Sequence, residues 1–523
     1  MGLYLVVTAV VNIPMTQQFI GSVVASALSE KFGTAVVVGR VNLGFFNRII
    51  IDDVSMLDQR QHHLFRASRL SAKFSYIDLI QGRLTIVSAQ VFGMDANLYK
   101  ATAKSKPNYQ FVLDSLASKD TTRHSPIHLN INSLVIRRGQ ISYNQLDAPS
   151  HQGFDPKHLR LTDISAHTMF HMMGDDSLRV KVKRLSFRAS DSFSLNDLHF
   201  YASLTRSTLR LGDFRLTLPH SELIIPYIVG TYSKQQPLPS LKLEGRLDES
   251  HVYLPDLSFF SSSLRDKRQQ IVIKSQFFVR KRMLNASRLS LALVRTGSSP
   301  SLTSPSNMRL EANGGIEMVR LNPHWRINVR RFSIDGMGMR FLTSQLPEAI
   351  SRINTLSFSG HASGNGANHI NAVCHLVSDA GEAKLAVDKT GNRLKGTLDT
   401  DGLNIGHIFN NDKLGLIAAR ISGNGDLRQK QFNVKGSIGR FDYGSYSYRN
   451  ITADARVEGK KFGGRLSLND PNAELSVKGS IDLQQAVHKI SLSADINHLA
   501  PSKLKLFNGR LANADYRANI VAD

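Results

Sequence analysis

Cysteine is almost missing: Cys374 is the one thiol in 523 residues. An intramolecular disulfide and a thiolate metal site are both excluded. A large secreted β protein needs neither, so the redox compartment stays open. Within Ala372-Val373-Cys374-His375-Leu376 the thiol reads as a small core residue. The marks of catalysis are missing too. No GxxxxGK(S/T) loop cradles a phosphate, and no GxSxG elbow presents a nucleophilic serine. The 18 histidines contain no HExxH pair. His167 and His171 have a helical ligand spacing, but they fall in a strand-like segment that would hold them about 13 Å apart. Asp399-Thr400-Asp401-Gly402 fails as a calcium loop, because Thr397 and Ile408 stand where carboxylates are required. Asp52-Asp53 and Asp175-Asp176 read as solvated turns rather than an acid/base pair. The expectation is a non-enzymatic protein without metal or cofactor.

Acidic residues are in deficit. Lysine and arginine number 65 against 42 acids, a net charge of +23 and a pI near 10.1. That excess suits anionic partners, whether nucleic acid or acidic membrane headgroups, or is simply a solvated basic surface. The charges are dispersed along the chain. With no helix-turn-helix, zinc-finger spacing or aromatic stacking array, nucleic acid is not an expected partner. Charged residues make up 20% and hydrophobic ones 41%, which argues against a disordered chain.

A full membrane-spanning run is also missing. Gly2 to Ile13 is apolar and uncharged, with Leu3, Tyr4, Leu5, Val6, Val7, Val10 and Val11 as its anchoring residues. Twelve helical residues cover about 18 Å of a roughly 30 Å hydrocarbon core. The first basic residue is Lys31, so the basic flank of a complete signal or anchor is not seen. The run reads as the back half of a transmembrane helix, the alternative being a buried strand or core helix. The last residues, Asn519 to Asp523, break off as though inside a strand. The chain therefore reads as a fragment.

What is present is alternation. Met15 to Phe32 first shows helical period, with Met15, Phe19, Val23 and Ala27 on one stripe and Ile20, Val24 and Leu28 beside it. Gly33 is placed to end that helix. Strands are expected at Ala35–Val41, Ile49–Val54 and Leu84–Leu98. From residue 127 period 2 persists. Leu129 and Ile131 alternate with asparagines, Leu216 and Leu218 flank Thr217, and Ile271, Ile273, Phe277 and Val279 share a parity. Val457 ends the run Ile451-Ala453-Ala455. Leu475, Val477, Ile481 and Leu483 form another set, as do Ile490, Leu492, Ala494 and Ile496. A parity flip near Lys183-Arg184 suggests a bulge or turn. Turn signals stand at Arg138-Gly139, Leu211-Gly212-Asp213, Glu244-Gly245, Asp335-Gly336, Gly391-Asn392, Gly423-Asn424-Gly425, Gly459-Lys460 and Asn469-Asp470-Pro471. Short helices are expected at Asn108–Ala117, Phe341–Ile353 and Ile405–Asn411. At about eleven residues per strand, 127–500 would hold about 34 strands stacked over some 160 Å.

Two blocks carry a family resemblance. The first holds Leu28 to Thr34 (LSEKFGT), Val37 to Val41, Phe45 to Arg48, Ile51 to Val54, Leu57-Asp58, Ala67 to Ala72 and Ile77 to Leu84. The second holds Asp442 to Ile451 (DYGSYSYRNI), Gly459-Lys460, Leu466 to Leu475 and Gly479 to Leu483. Together, over roughly 200 residues, they resemble the TamB/AsmA-like proteins, the translocation and assembly module group. The resemblance implies a mainly β fold: an elongated open β-groove, a β-taco-like strand ladder, with an N-terminal membrane-associated helix and a few short helices. It also implies an inner-membrane anchor and a mostly periplasmic body. The implied role is phospholipid transport toward the outer membrane, or a scaffold for outer-membrane protein and autotransporter assembly through an outer-membrane barrel partner. The chain departs from the family in lacking a complete anchor and the family's C-terminal domain. A closed β structural protein is the third reading.

On this reading 1–33 is a partial anchor and amphipathic helix, 34–100 a membrane-proximal β region and 101–126 a linker with a short helix. Groove segments follow at 127–300 and 301–380, the second with one short helix, and 381–523 is a repeat-like β segment. The apolar parity gives the lipid-contacting candidates: Leu129, Ile131, Leu216, Leu218, Ile271, Ile273, Val457, Leu475, Val477, Ile481, Leu492 and Ile496. A one-sided apolar sheet left open must bind something or aggregate.

Overall fold

Alternating apolar and polar residues put one face of each strand away from water, and the computed structural model of the protein is accordingly built of strands. It describes residues 14–44, 47–75, 78, 84–117, 127–172, 177–190, 193–233, 235, 240–295, 297–317, 321–342, 352–483, 489–506 and 514–522. The fold is mainly β, 66% strand against 10% helix, and its sheet is open. The chain divides into two compact units, Met1–Val272 and Ile273–Asp523.

The first unit begins with helix α1 (Pro14–Phe32), ended by Gly33 at φ 64°. Strands β1 (Val36–Val38), β2 (Val41–Gly44), β3 (Arg48–Leu57), β4 (His63–Phe74) and β5 (Leu84–Lys100) follow, then helix α2 (Gln110–Ala117). The rest is β6 (Ile127–Gln145), β7 (His158–Met172), β8 (Leu178–Ser190), β9 (Phe193–Leu195), β10 (Asp197–Leu204), β11 (Thr208–Thr217), β12 (Glu222–Thr231) and β13 (Lys242–Tyr253). β3 receives both β1 and β2 on one side and β4 on the other. β5 and β6 run parallel, and the remaining pairings of this unit are antiparallel. Val41, Ile51, Leu70, Val91, Ile136, Ala166 and Leu185 pair in one row across seven strands.

Helix α1 covers the start of this sheet. Val24, Leu28 and Phe32 pack on a core of Val36, Val41, Ile51 and Val54. Its other apolar stripe stays outside: Met15 is 82% exposed, and Phe19 and Val23 are exposed too. Among the described residues no helix is long and apolar enough to cross a membrane. The proposed anchor residues Leu3, Tyr4, Leu5, Val6, Val7, Val10 and Val11 lie outside the described residues.

The division between the units falls inside β14 (Gln270–Arg280). The second unit continues with β15 (Met283–Val294), β16 (Ser306–Glu317), β17 (His324–Asp335), α3 (Gly336–Leu342), β18 (Thr355–Asn365), β19 (His369–Ser378), β20 (Gly381–Thr390) and β21 (Arg393–Asn404). Helix α4 (Ile405–Phe409) precedes β22 (Leu414–Asp426), β23 (Gln431–Tyr443), β24 (Tyr446–Glu458), β25 (Lys461–Asp470), β26 (Ala473–Asp482), β27 (Lys489–Leu499) and β28 (Ala518–Ala522). From β15 to β28 each strand pairs antiparallel with the next.

Several expectations are corrected here. Between residues 127 and 500 the described residues form 22 strands, β6 to β27, rather than about 34, because many strands run 10 to 19 residues. The stretch Ala35–Val41 is two strands: Gly39 breaks it, and its N–H donates to the carbonyls of Asp52 and Asp53, each at 3.2 Å. Four turn signals lie inside strands. At Arg138-Gly139 the pairing with β7, and at Leu211-Gly212-Asp213 the pairing with β10, slips by a bulge, with Arg138 at φ 54° and Asp213 at φ 51°. Glu244-Gly245 and Gly423-Asn424-Gly425 continue their ladders unbroken. The parity flip is a bulge at Lys183, between the pairs His167–Arg184 and Thr168–Val182. Helices α2 and α4 form where expected; of the third, expected over Phe341–Ile353, residues 343–351 lie outside the described residues.

Candidate ligand-binding face

Hairpin register decides whether apolar residues on neighbouring strands meet. In the second unit they do. Ile421, Gly436, Ala453, Leu466, Val477, Ala494 and Ile520 pair in sequence across β22 to β28. The same row continues backward through Leu398, Leu385, Cys374, Gly360, Val329, Ala312 and Leu289. Every member of it is apolar or small. A parallel row runs Ala419, Ile438, Ile451, Leu468, Leu475, Ile496 and Ala518. A third runs Phe432, Val457, Phe462, Ile481 and Ile490. The intervening rows are polar, as in Asp454, Arg465, Lys478 and Ser493.

This face is closed along one margin and open along the other. At the closed margin Ile451, Leu468, Ala473 and Leu504 are buried together, with Ile438, Phe441, Tyr446, Tyr448, Leu475 and Leu499 packed around them. Buried Asp470 pins that margin. It accepts from the Tyr446 hydroxyl, the Arg449 N–H at 2.9 Å and the Asn472 N–H at 3.0 Å. Burial pushes the Tyr446 and Tyr448 phenols up. At the open margin Phe462 is 43% exposed, Ile481 40% and Ile490 54%. Leu466, between the margins, is 42% exposed. A closed core would leave such residues near zero, so this part of the sheet presents apolar surface to its surroundings.

The structure thus brings six of the twelve candidates together: Val457, Leu475, Val477, Ile481, Leu492 and Ile496 share one face of β24 to β27. The others fall elsewhere. Leu216 pairs with Leu198 and Leu223, and Leu218 is buried beyond the end of β11. Ile271 and Ile273 flank the unit division half-buried, and the buried residues of that strand, Val272, Ser275 and Val279, fall on both parities. Ile131 is half-buried. Leu129 pairs with Ile86 through the backbone, and its side chain lies outside the described residues.

Sequence reasoning missed Phe432, Phe462, Leu466 and Ile520 on the same face. The signal was available, because Phe462, Gly464, Leu466 and Leu468 share a parity, but Gly463-Gly464 interrupts the apolar run. Cys374 sits half-buried in the long row, opposite Gly360, and burial pushes its thiol up. His167 and His171 both lie on β7, and burial holds the His167 imidazole below its usual range, with the Lys183 charge adding to it. Among the described residues no group of three or more His, Cys, Asp or Glu side chains is placed to hold a metal ion.

No family model and no curated protein matches the chain. Among solved structures it is similar to a transferrin-binding protein B double mutant from Haemophilus parasuis, 10% identical, over 68% of this chain and 65% of that one, at a TM-score of 0.10. The match spans less than two thirds of that structure, and at this TM-score it carries no argument.

Proposed function

We propose that this protein is a non-enzymatic component of a bacterial cell envelope, of the TamB/AsmA-like kind, whose apolar sheet face carries phospholipid acyl chains between inner and outer membrane. The observation that carries the reading is the set of in-register apolar rows of β22 to β28, half-exposed along one margin. Bringing a sixteen-carbon acyl chain into water costs roughly 12 kcal/mol at about 0.8 kcal/mol per CH₂. An apolar strip several strands long removes much of that cost. The exposed stripe Met15-Phe19-Val23 of α1, following the uncharged run Gly2 to Ile13, suits a body held at the inner membrane and lying mostly in the periplasm.

The alternative reading is a scaffold whose half-exposed apolar rows meet client polypeptides, as in outer-membrane protein assembly.

Photo-crosslinking from position 477, with mass-spectrometric analysis of the adducts, separates the two. Phospholipid adducts support the acyl-carrying reading. Peptide adducts from envelope proteins, with no lipid adducts, would replace it by the scaffold.

A further inference from the structure

Basic residues are scattered along the sequence, but the hairpins gather some of them along one line. The turns joining β14 to β15, β20 to β21, β22 to β23 and β24 to β25 all fall at the open margin of the second unit's apolar face. They carry Arg282, Arg393, Arg428, Lys430 and Lys460, all exposed. None of these five makes an ion pair among the described residues.

The carboxylates at the same margin are engaged. Asp426 accepts the N–H groups of Arg428 at 2.8 Å and Gln429 at 2.9 Å. Glu458 pairs with Arg456 at 2.5 Å, and Asp482 with Lys461 at 3.2 Å. At the closed margin cations and carboxylates are mixed: Arg295 is held by Asp335 and Arg440 by Asp442, and Asp379, Asp412 and Asp470 stand among its turns beside the exposed Lys413 and Arg449. Successive turns on one margin are two strands apart, about 10 Å. Arg393, Lys430 and Lys460 therefore repeat at roughly that interval, each beside the apolar row of half-buried Leu394 and Phe432 and exposed Phe462.

From this juxtaposition we infer that the open margin of the second unit is a headgroup rail selecting anionic phospholipid: the phosphate-bearing headgroup rests on the cationic turns while the acyl chains lie on the apolar rows. The inference rests on the acyl-carrying reading of the face. A zwitterionic headgroup brings no net charge and gains little from the rail. Each lysine or arginine close to an anionic lipid surface strengthens its hold roughly fivefold, so three reversals should weaken anionic lipid severely.

The test uses the full chain and three photoactivatable lipids with the same acyl chains: phosphatidylglycerol, phosphatidylcholine and diacylglycerol, each supplied in vesicles. The variant carries Arg428→Glu, Lys430→Glu and Lys460→Glu, all at exposed turns, with a thermal melt to check folding. The control carries Lys413→Glu and Arg449→Glu at the closed margin. The expected result is preferential crosslinking of phosphatidylglycerol by the native chain, a loss of at least roughly tenfold in the triple variant and no comparable loss in the control. Diacylglycerol crosslinking should be unchanged in all three. Equal crosslinking of the two phospholipids, or a triple variant that retains phosphatidylglycerol, overturns the rail and leaves the acyl-carrying face standing. Failure of the native chain to crosslink any of the three overturns the acyl-carrying reading itself.

Discussion

Leu466 faces Val477 across the β25–β26 ladder, and Ala494 and Ile520 extend that pair in the same row. Leu466 is exposed and Val477 half-buried, so a long cationic side chain at 477 can reach water along the face. Val477→Arg should therefore keep its strands paired and melt within a few degrees of the native chain, while acyl-lipid crosslinking from neighbouring positions falls. A closed core predicts the reverse, since an unpaired buried charge costs several kcal/mol. Limited proteolysis of the variant decides: rapid cutting within β25 to β27 would end the open-face account.

The two margins of the face should respond unequally to truncation. Leu468→Ala removes a buried side chain from the Ile451–Ala473–Leu504 cluster and should cost about 2–5 kcal/mol. Phe462→Ala and Ile481→Ala, at the open margin, should each cost well under half of that. Denaturant melts of the three variants measure the contrast, and equal losses would mean that both margins are core.

Two glycines should separate close approach from simple tolerance. A Cβ on Gly425 would stand 2.2 Å from the Gln431 carbonyl and 2.4 Å from the Phe432 ring, so Gly425→Ala should cost about 1–3 kcal/mol. A Cβ on Gly402 meets nothing within 4 Å, and Gly402→Ala should be neutral or slightly stabilising. Thermal melts compare them.

Acid should open one turn of the first unit. Asp155 accepts the N–H groups of His151 and Lys157, both at 2.9 Å, with His158 Nδ1 at 3.0 Å. Those donors hold its carboxyl down to about 2, against an ordinary value near 3.9. A depressed carboxyl contributes stability above about pH 4 and loses it as the pH falls toward 2. The adjoining Phe154, packed against Phe259 and Phe260, is then released to pepsin. Cleavage at Phe154 should rise between pH 4 and 2, and Asp155→Asn should remove that dependence. A flat profile in the native chain would contradict the assignment.

Much of this was legible because period 2 is a local property. The parity of Ile451 to Val457, Leu475 to Ile481 and Ile490 to Ile496 could be read residue by residue, and hairpin register then lined the sets up. Turns were harder to place, since a glycine serves a tight turn, a bulge and a close strand contact alike. Gly391 and Gly459 sit in turns, whereas Gly139 and Gly212 mark bulges and Gly425 a close contact. Whether a face is covered depends on chain far away in sequence. The parity of Phe462 and of Leu468 is identical, yet one is exposed and the other buried under the segment that carries Leu504.

The parallel pairing of β5 and β6 has a kinetic consequence. Leu466 and Val477 pair across a hairpin and stand 11 positions apart, whereas Val91 and Ile136 pair across 45. Hairpins can zip one after another, each closing a short loop in microseconds. The parallel pair must first close the long connection through α2, and loop-closure entropy is lost before any of its contacts form. The second unit can therefore assemble by successive local steps, while the first waits for β6 to find β5. Altering the chain length between Lys100 and Ile127 should change the refolding rate of the first unit and leave every strand pair as it is.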